Sequence, residues 1–350
     1  MIQMPVRLGI VGAGGFTRRF HIPNFLKIPG VEVVAVCNRS IDSGKAVARE
    51  FGFDMVLADW RELVHLPNID AVVIGTWPYM HSEVAVEALS AGKHVFTEAH
   101  MAGDLEGARS MYMAAQNNPH LKTMLSNLRV PGDMLMRQLL TNGYVGNLRQ
   151  VVDYRSNDQY VDVSGELHWR QNRKYSGINF QYLGVSAEIN RRWFGDHTRV
   201  FAQSKTFHPK TVSSHSYEKL PDTMNVLSEF EDGTPIVYLH SGVTRFSGSP
   251  RLEIYGDEGT LVYHWQNRLN AVTGIFGAKA GDSELAQIPI PPELESNWSM
   301  NEDFIGMIRY DNIPSPELAT FYDGLKYTEF TTACFKSLEA GTWIDLPLSW

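Results

Sequence analysis

The sequence predicts an α/β protein of two domains: an N-terminal parallel sheet wound with helices, then an α+β domain with a large, mostly antiparallel sheet. Three observations carry this. Short apolar runs alternate with helical patterns up to about Ser126. A glycine-rich turn follows the first of those runs. Beyond Gly146 the pattern changes to alternating strands separated by turn residues.

Residues 6–11 (VRLGIV) read as the first strand, ended by glycines, with a helix opening near Phe16. Residues 31–37 (VEVVAVC) form the second, and a helix over SGKAVAREFG follows, stopped by Gly52. Residues 70–76 (DAVVIGT) are a further buried strand. Helical spacing over 81–89 (HSEVAVEAL) ends at Gly92, and 93–97 (KHVFT) is the next strand. Strands and helices in this alternation make βαβ units, whose ligands bind outside the carboxyl ends of the strands. Residues 1–126 are the expected first domain and 127–350 the second.

In the second domain, strands are expected over 150–155, 223–229, 236–241, 251–255 and 260–264. Glu231-Asp232-Gly233 and Gly256-Asp257-Glu258-Gly259 supply turns. Helices are expected over 189–194, 301–309 and 321–338. No internal repeat or low-complexity segment is visible.

The 350-residue chain carries a net charge of −8 with scattered Lys and Arg, which opposes nucleic acid and anionic membrane as partners. No stretch reaches the ~18 apolar residues of a transmembrane helix. The N-terminus runs straight into the first strand, so no signal peptide is expected. Cys37 and Cys334 are the two cysteines, too few for a disulfide framework, and a reducing cytoplasm is the expected compartment. His208, His215 and His240 lack metal-ligand spacing, so no metal is expected. Ser186 and Ser214 lack a nucleophile-elbow context.

The strongest motif is Gly12-Ala13-Gly14-Gly15-Phe16-Thr17, between a strand and a helix. Gly12 permits the tight turn, Gly14 lets a pyrophosphate approach the backbone, and Thr17 is small enough for close helix–strand packing. The helix N-terminus offers free amides and partial positive charge. With a second strand ending ~20–25 residues on, this is the context of a Rossmann dinucleotide site. An acidic residue at the end of that strand would accept bonds from the ribose hydroxyls of NAD; Asn38-Arg39-Ser40 stands there instead. Arg39 suits a 2′-phosphate, so NADP is the expected cofactor. The alternative is NAD bound through Asn38.

Several segments together resemble the glucose–fructose oxidoreductase, inositol dehydrogenase and rhizopine-catabolism (Gfo/Idh/MocA) family. They are the glycine turn, the strand ending at Ser40, residues 76–81, Ala91-Gly92-Lys93-His94-Val95, Asn142-Gly143-Tyr144-Val145-Gly146, Trp169-Arg170, residues 252–256 and the closing 341–347. The likeness covers nearly the whole chain. It implies a sugar, cyclitol or polyol substrate, NAD(P) chemistry, and an open C-terminal sheet that joins copies into a homodimer or homotetramer. It places Thr76, Trp77, His81, Glu98 and Ala99 beside the ribose and nicotinamide, and Asn127, Tyr154, Asn157, Trp169, Arg170 and Ser186 on the substrate side.

The family's catalytic positions are replaced. Its Glu-Lys-Pro reads Glu98-Ala99-His100 here, its aspartate position holds Tyr182, its histidine position Ser186, and the next acidic position Ile189. A positioned acid or base is worth ~10²–10⁴-fold in rate. His100 and Tyr182 are the candidate substitutes. The expected function is an NADP(H)-dependent oxidoreductase acting on a sugar-like or other small carbonyl, imine or polyol. One alternative is an inactive dinucleotide-binding regulator or sensor. A second is a lyase, glycosidase or isomerase that oxidises and re-reduces one carbon on bound NAD(P).

Overall fold

The structure, a computed structural model, describes residues 5–162, 167–207, 219–265, 273–295 and 298–350. Contacts divide the chain into two compact units, Met1–Leu128 with Trp298–Thr328, and Arg129–Asn297 with Glu329–Trp350. The single cut expected after residue 126 does not contain the return of 298–328 to the first unit. That return is driven by packing that no local pattern announces.

The first unit holds a six-stranded parallel sheet: β1 (Val6–Val11), β2 (Val31–Cys37), β3 (Met55–Leu57), β4 (Ala71–Ile74), β5 (His94–Thr97) and β6 (Thr123–Leu125). Its order is β3-β2-β1-β4-β5-β6. The direction of winding reverses between β1 and β4, which opens a crevice at their carboxyl ends. A π-helical turn (Thr17–His21) leads into α1 (Ile22–Lys27). Then come α2 (Ile41–Phe51), α3 (Trp60–Val64), α4 (Pro78–Ser90) and α5 (Leu105–Asn117). Ser40 caps α2 by accepting the Ser43 N–H, and Gly52 ends it at φ 78°. Apolar residues on both faces of the sheet are buried, as parallel strands require. The helix Met300–Tyr310 joins this core, with Phe304 edge-on to Phe25 and Phe96.

The second unit holds α6 (Asp133–Thr141), β7 (Leu148–Ser156), α7 (Arg173–Ser176), α8 (Leu183–Phe194), β8 (His197–Lys205), β9 (Thr223–Phe230) and β10 (Pro235–Ser241). They are followed by β11 (Arg251–Gly256), β12 (Gly259–His264), β13 (Gly274–Lys279), β14 (Ala286–Ile288) and β15 (Ile344–Asp345). In chain order Met300–Tyr310 is α9, and α10 is Phe321–Ala340. The sheet order is β14-β13-β12-β11-β7-β10-β9-β8-β15. Among the described strands of this sheet only β7 and β10 pair in parallel, so the mostly antiparallel sheet expected from the alternating pattern is what forms. α8 begins six residues before the expected start of 189, because Leu183 to Asn190 are buried all round and show no amphipathic contrast.

One face of this sheet carries a buried polar chain beneath α8. Asp153 Oδ2 accepts from Asn190 Nδ2 at 3.1 Å, and Asp153 Oδ1 meets His240 Nε2 at 3.0 Å and Arg155 Nε at 3.1 Å. Asn190 also reaches the Tyr238 hydroxyl, which meets His197 Nε2 at 3.1 Å. Burial opposes ionisation of Asp153, but Arg155, His240 and Asn190 outweigh it and hold the carboxyl below its usual range.

Candidate active site

The glycine turn is built as the sequence requires. Gly12 has φ 87°, and a Cβ there would lie 2.5 Å from Thr76 Cγ2 and 2.6 Å from the Thr76 nitrogen. Its N–H donates to the Cys37 carbonyl at 2.8 Å, tying the turn to β2. Thr17 is buried against Gly75, where a Cβ would stand 2.1 Å from Thr17 Oγ1. Gly14 and Gly15, by contrast, are exposed. A Cβ on Gly14 would meet only the Gly75 carbonyl at 3.6 Å, and one on Gly15 nothing within 4 Å. The first-turn amides of Gly15, Phe16 and Thr17 have no carbonyl a turn earlier to bond, so this open cradle fits a pyrophosphate.

A pocket of about 510 Å³ extends from the turn along β2 and β4, lined among others by Gly12, Gly14, Asn38, Arg39, Thr76 and Trp77. Asn38 Oδ1 accepts the Ala13 N–H. Arg39 is exposed, its guanidinium 5.6 Å from the centre of the Trp77 ring. Ser40 caps α2, and Ser43 on that helix lines the pocket. Thr76 Oγ1 is buried with no hydrogen-bond partner. The lining fits a dinucleotide.

The ends of β4 and β5 are linked by His81. It is fully buried on α4, with Nδ1 2.8 Å from the His100 carbonyl oxygen and Nε2 3.0 Å from that of Thr76. Burial pushes its pKa down, against the pull of those carbonyls. His81 therefore holds the two loops together and does not itself face open space. Ala99 and His100 are half-buried, and the His100 ring stands edge-on to Tyr327 at 6.0 Å. Glu98 meets a residue that sequence reasoning passed over: His21 Nε2 lies 2.7 Å from Glu98 Oε1. The two atoms are in contact but not aligned as a hydrogen bond. The His21 ring is packed against Phe16, Phe96 and Trp298, and its Nδ1 faces the Asn301 side-chain amide. Asn127 is committed to the returning segment, its Nδ2 donating to the Glu317 carbonyl at 2.6 Å.

In the second unit, Tyr182 stands 43% exposed at the start of α8, whereas Ser186, one turn on, is fully buried. Trp169 and Arg170 form a short 3₁₀ turn, with the guanidinium 4.2 Å over the indole. Tyr160 feels both Arg170 and Tyr182; burial is the main cause that pushes its phenol up to about 12. Tyr182, Trp169 and Arg170 are thus brought to one neighbourhood. Tyr154 is not among them. By strand alternation it faces away from Asp153 and α8, donating to the Ser247 carbonyl at 2.9 Å beneath Arg251. Asn157 closes a turn, accepting the Gln159 N–H at 3.0 Å.

His208, His215 and Ser214 lie outside the described residues. Among the described residues, no group of three or more His, Cys, Asp or Glu is arranged to hold a metal ion. No described helix is long and apolar enough to cross a membrane.

Comparison with known proteins agrees with this architecture. Residues 6–124 match the family described as an oxidoreductase family with an NAD-binding Rossmann fold. Residues 134–262 match its companion, the GFO/IDH/MocA C-terminal domain. Among similar proteins, levoglucosan dehydrogenase of Pseudarthrobacter phenanthrenivorans is 24% identical over 98% of both chains. The 1,5-anhydro-D-fructose reductase of Ensifer adhaerens is 33% identical over 73% of this chain and 75% of its own. The solved structure of levoglucosan dehydrogenase with NADH and levoglucosan superposes with TM-score 0.82 at 20% identity, covering 99% of this chain and 100% of that one. The chain belongs to the Gfo/Idh/MocA oxidoreductase family.

Proposed function

We propose that this protein transfers hydride between NADP(H) and a carbonyl or polyol of a sugar-like substrate, with acid and base groups other than the family's usual set. The observation that carries the cofactor choice is Arg39 at the end of β2, beside Trp77 in the pocket, where an acid would select NAD. A 2′-phosphate there gains a charge-assisted contact from Arg39 and hydroxyl donors from Ser40 and Ser43. The amides of Gly15, Phe16 and Thr17 take the pyrophosphate, and Thr76 Oγ1 suits a ribose hydroxyl. The bound cofactor supplies or accepts the hydride. His100 and Tyr182 are the proposed groups for moving the substrate proton, and the Trp169–Arg170 surface is the proposed sugar platform.

The relatives named for levoglucosan and 1,5-anhydro-D-fructose support this substrate class. Titration calorimetry with both dinucleotides tests the cofactor, with NADP expected to bind about tenfold tighter than NAD or better. Nicotinamide absorbance, followed with anhydrosugars and inositols, tests the chemistry. Failure of both dinucleotides to bind would overturn the reading.

Retention of the dinucleotide without turnover is a second reading. It is supported by the full burial of Ser186 and by Ala99, which stand where the resemblance would place the histidine and the lysine. Steady-state hydride transfer with any of these substrates would remove it.

A further inference from the structure

We propose, resting on the dinucleotide reading above, that Glu98 is the charge facing the nicotinamide ring and His21 the residue that positions it, so that this protein holds the oxidised cofactor more tightly than the reduced one.

The direction of the cofactor follows from the sheet. Arg39 and Asn38 mark the adenosine side at β2, so a dinucleotide crossing the glycine turn at the switch point runs toward β4 and β5 with its nicotinamide end. Glu98 stands at the carboxyl end of β5, its N–H bonded to the Ile74 carbonyl at 3.0 Å. It therefore sits one strand over from Gly75, which packs against the turn itself.

The carboxylate is not loose. Its side chain is 15% exposed, and Oε1 rests 2.7 Å from Nε2 of His21, which is 1% exposed. His21 in turn is sealed by Phe16, Phe96 and Trp298 and backed by Asn301. Such a cage fixes the imidazole, and one carboxylate oxygen rests against it.

Among the described residues, the neighbouring side chains do little to offset this charge. The next residue is Ala99, which carries no charge. The pKa of His81, which feels Glu98, is pushed down by its burial. Arg18 pairs with Glu50, and Arg19 lies over the Phe20 ring. On α9, Asp303 bonds Ser299 and Glu302 adds a further negative charge. The oxidised nicotinamide ring carries a positive charge that the reduced ring lacks, so a nearby carboxylate binds the oxidised form preferentially.

The test is to measure dissociation constants for NADP⁺ and NADPH by titration calorimetry on the full chain and on Glu98→Gln and His21→Gln. Adenosine 2′,5′-bisphosphate, which lacks nicotinamide, reports on the intact pocket. In Glu98→Gln the preference for NADP⁺ over NADPH should fall about tenfold with the bisphosphate affinity unchanged. His21→Gln should move the ratio the same way by less, as the carboxylate loses its support. An unchanged ratio in Glu98→Gln overturns the proposal, even where His21→Gln does not fold. A raised ratio in His21→Gln would mean that His21 neutralises Glu98 and would overturn it too. If the wild-type chain binds the bisphosphate but neither dinucleotide, the dinucleotide reading itself has failed.

Discussion

Asn38 Oδ1 accepts the Ala13 N–H at 2.7 Å, so the residue that follows β2 also holds the glycine turn that follows β1. An aspartate would keep that acceptor and add a charge. Asn38→Asp should therefore fold normally while its NADP affinity falls about tenfold or more, with NAD affinity held or improved. Asn38→Leu removes the acceptor and leaves the amide unsatisfied, at a cost of about 1–3 kcal/mol. Calorimetry separates the two: the aspartate discriminates between nucleotides, whereas the leucine weakens both and lowers the melting temperature.

Arg39 lies on the solvent side of the pocket, over Trp77. Arg39→Ala should weaken NADP by about tenfold, the worth of a charge-assisted contact, and leave NAD unchanged. Equal loss for the two nucleotides would show that the guanidinium recognises something other than the 2′-phosphate. Arg39→Lys should recover only part of the loss, because an ammonium does not stack on the indole as a guanidinium does.

Gly12 and Gly15 lie three residues apart but should respond in opposite ways to alanine. At Gly12 the added carbon would strike both the backbone and the side chain of Thr76 at a φ of 87°. About 2–3 kcal/mol of stability should be lost, visible as an earlier urea midpoint. At Gly15 nothing lies within 4 Å. Gly15→Ala should keep or gain stability in the opening helical turn, yet weaken the dinucleotide by crowding the pyrophosphate.

How much of this was readable beforehand depended on range. The glycine turn, β2 and the cap of α2 are set by residues within a few positions of one another, and their chemistry is visible as spelling. β3 and β6, of three residues each, are too short to show a period. The partners of Glu98 and Asn127 were hidden for another reason. Glu98 meets His21 from the opening helical turn, and Trp298, Asn301 and Glu317, which pack on His21 or bond Asn127, arrive from a segment 171 to 280 positions downstream. The packing of α9 on Phe25 and Phe96 brings that segment in. Tyr154 matched a family position, but strand alternation turns it to the face opposite α8.

The pH dependence of stability should be governed by histidines buried in neutral form. Burial lowers the pKa of His240 from 6.5, with the Asp153 contacts opposing and Arg155 assisting, and His81 is lowered in the same direction. Between the folded value and 6.5 the unfolded chain takes up protons that the native chain does not. The stabilisation is thus complete above about pH 6.5 and is lost as pH falls through the folded pKa. Melting temperature should drop between about pH 7 and pH 5, and His240→Gln should flatten that slope. Asp153, held below its usual range, adds its own loss only below about pH 4.

The second sheet face, the one Tyr154 shares, leads to a prediction about assembly. Alternate residues of β7, β9, β10 and β11 point there, and Leu227 at 45% and Tyr255 at 37% are its exposed apolar members, with Val152, Val237 and Leu239 half-buried between them. Around this apolar cluster the same face carries Gln150, Asn225, Glu229, Arg251 and Glu253, and an exposed apolar patch rimmed by polar residues marks an interaction surface. We propose that copies of the chain meet through it as a homodimer or homotetramer. Leu227→Asp places an uncompensated charge at its centre while disturbing no buried contact of the sheet. Light scattering after gel filtration should find a dimer or tetramer for the wild-type chain and a smaller species for the variant. Because the glycine turn and its pocket belong to the first unit, dinucleotide affinity should survive the change. A wild-type chain that remains monomeric at high concentration would show that this face serves something else.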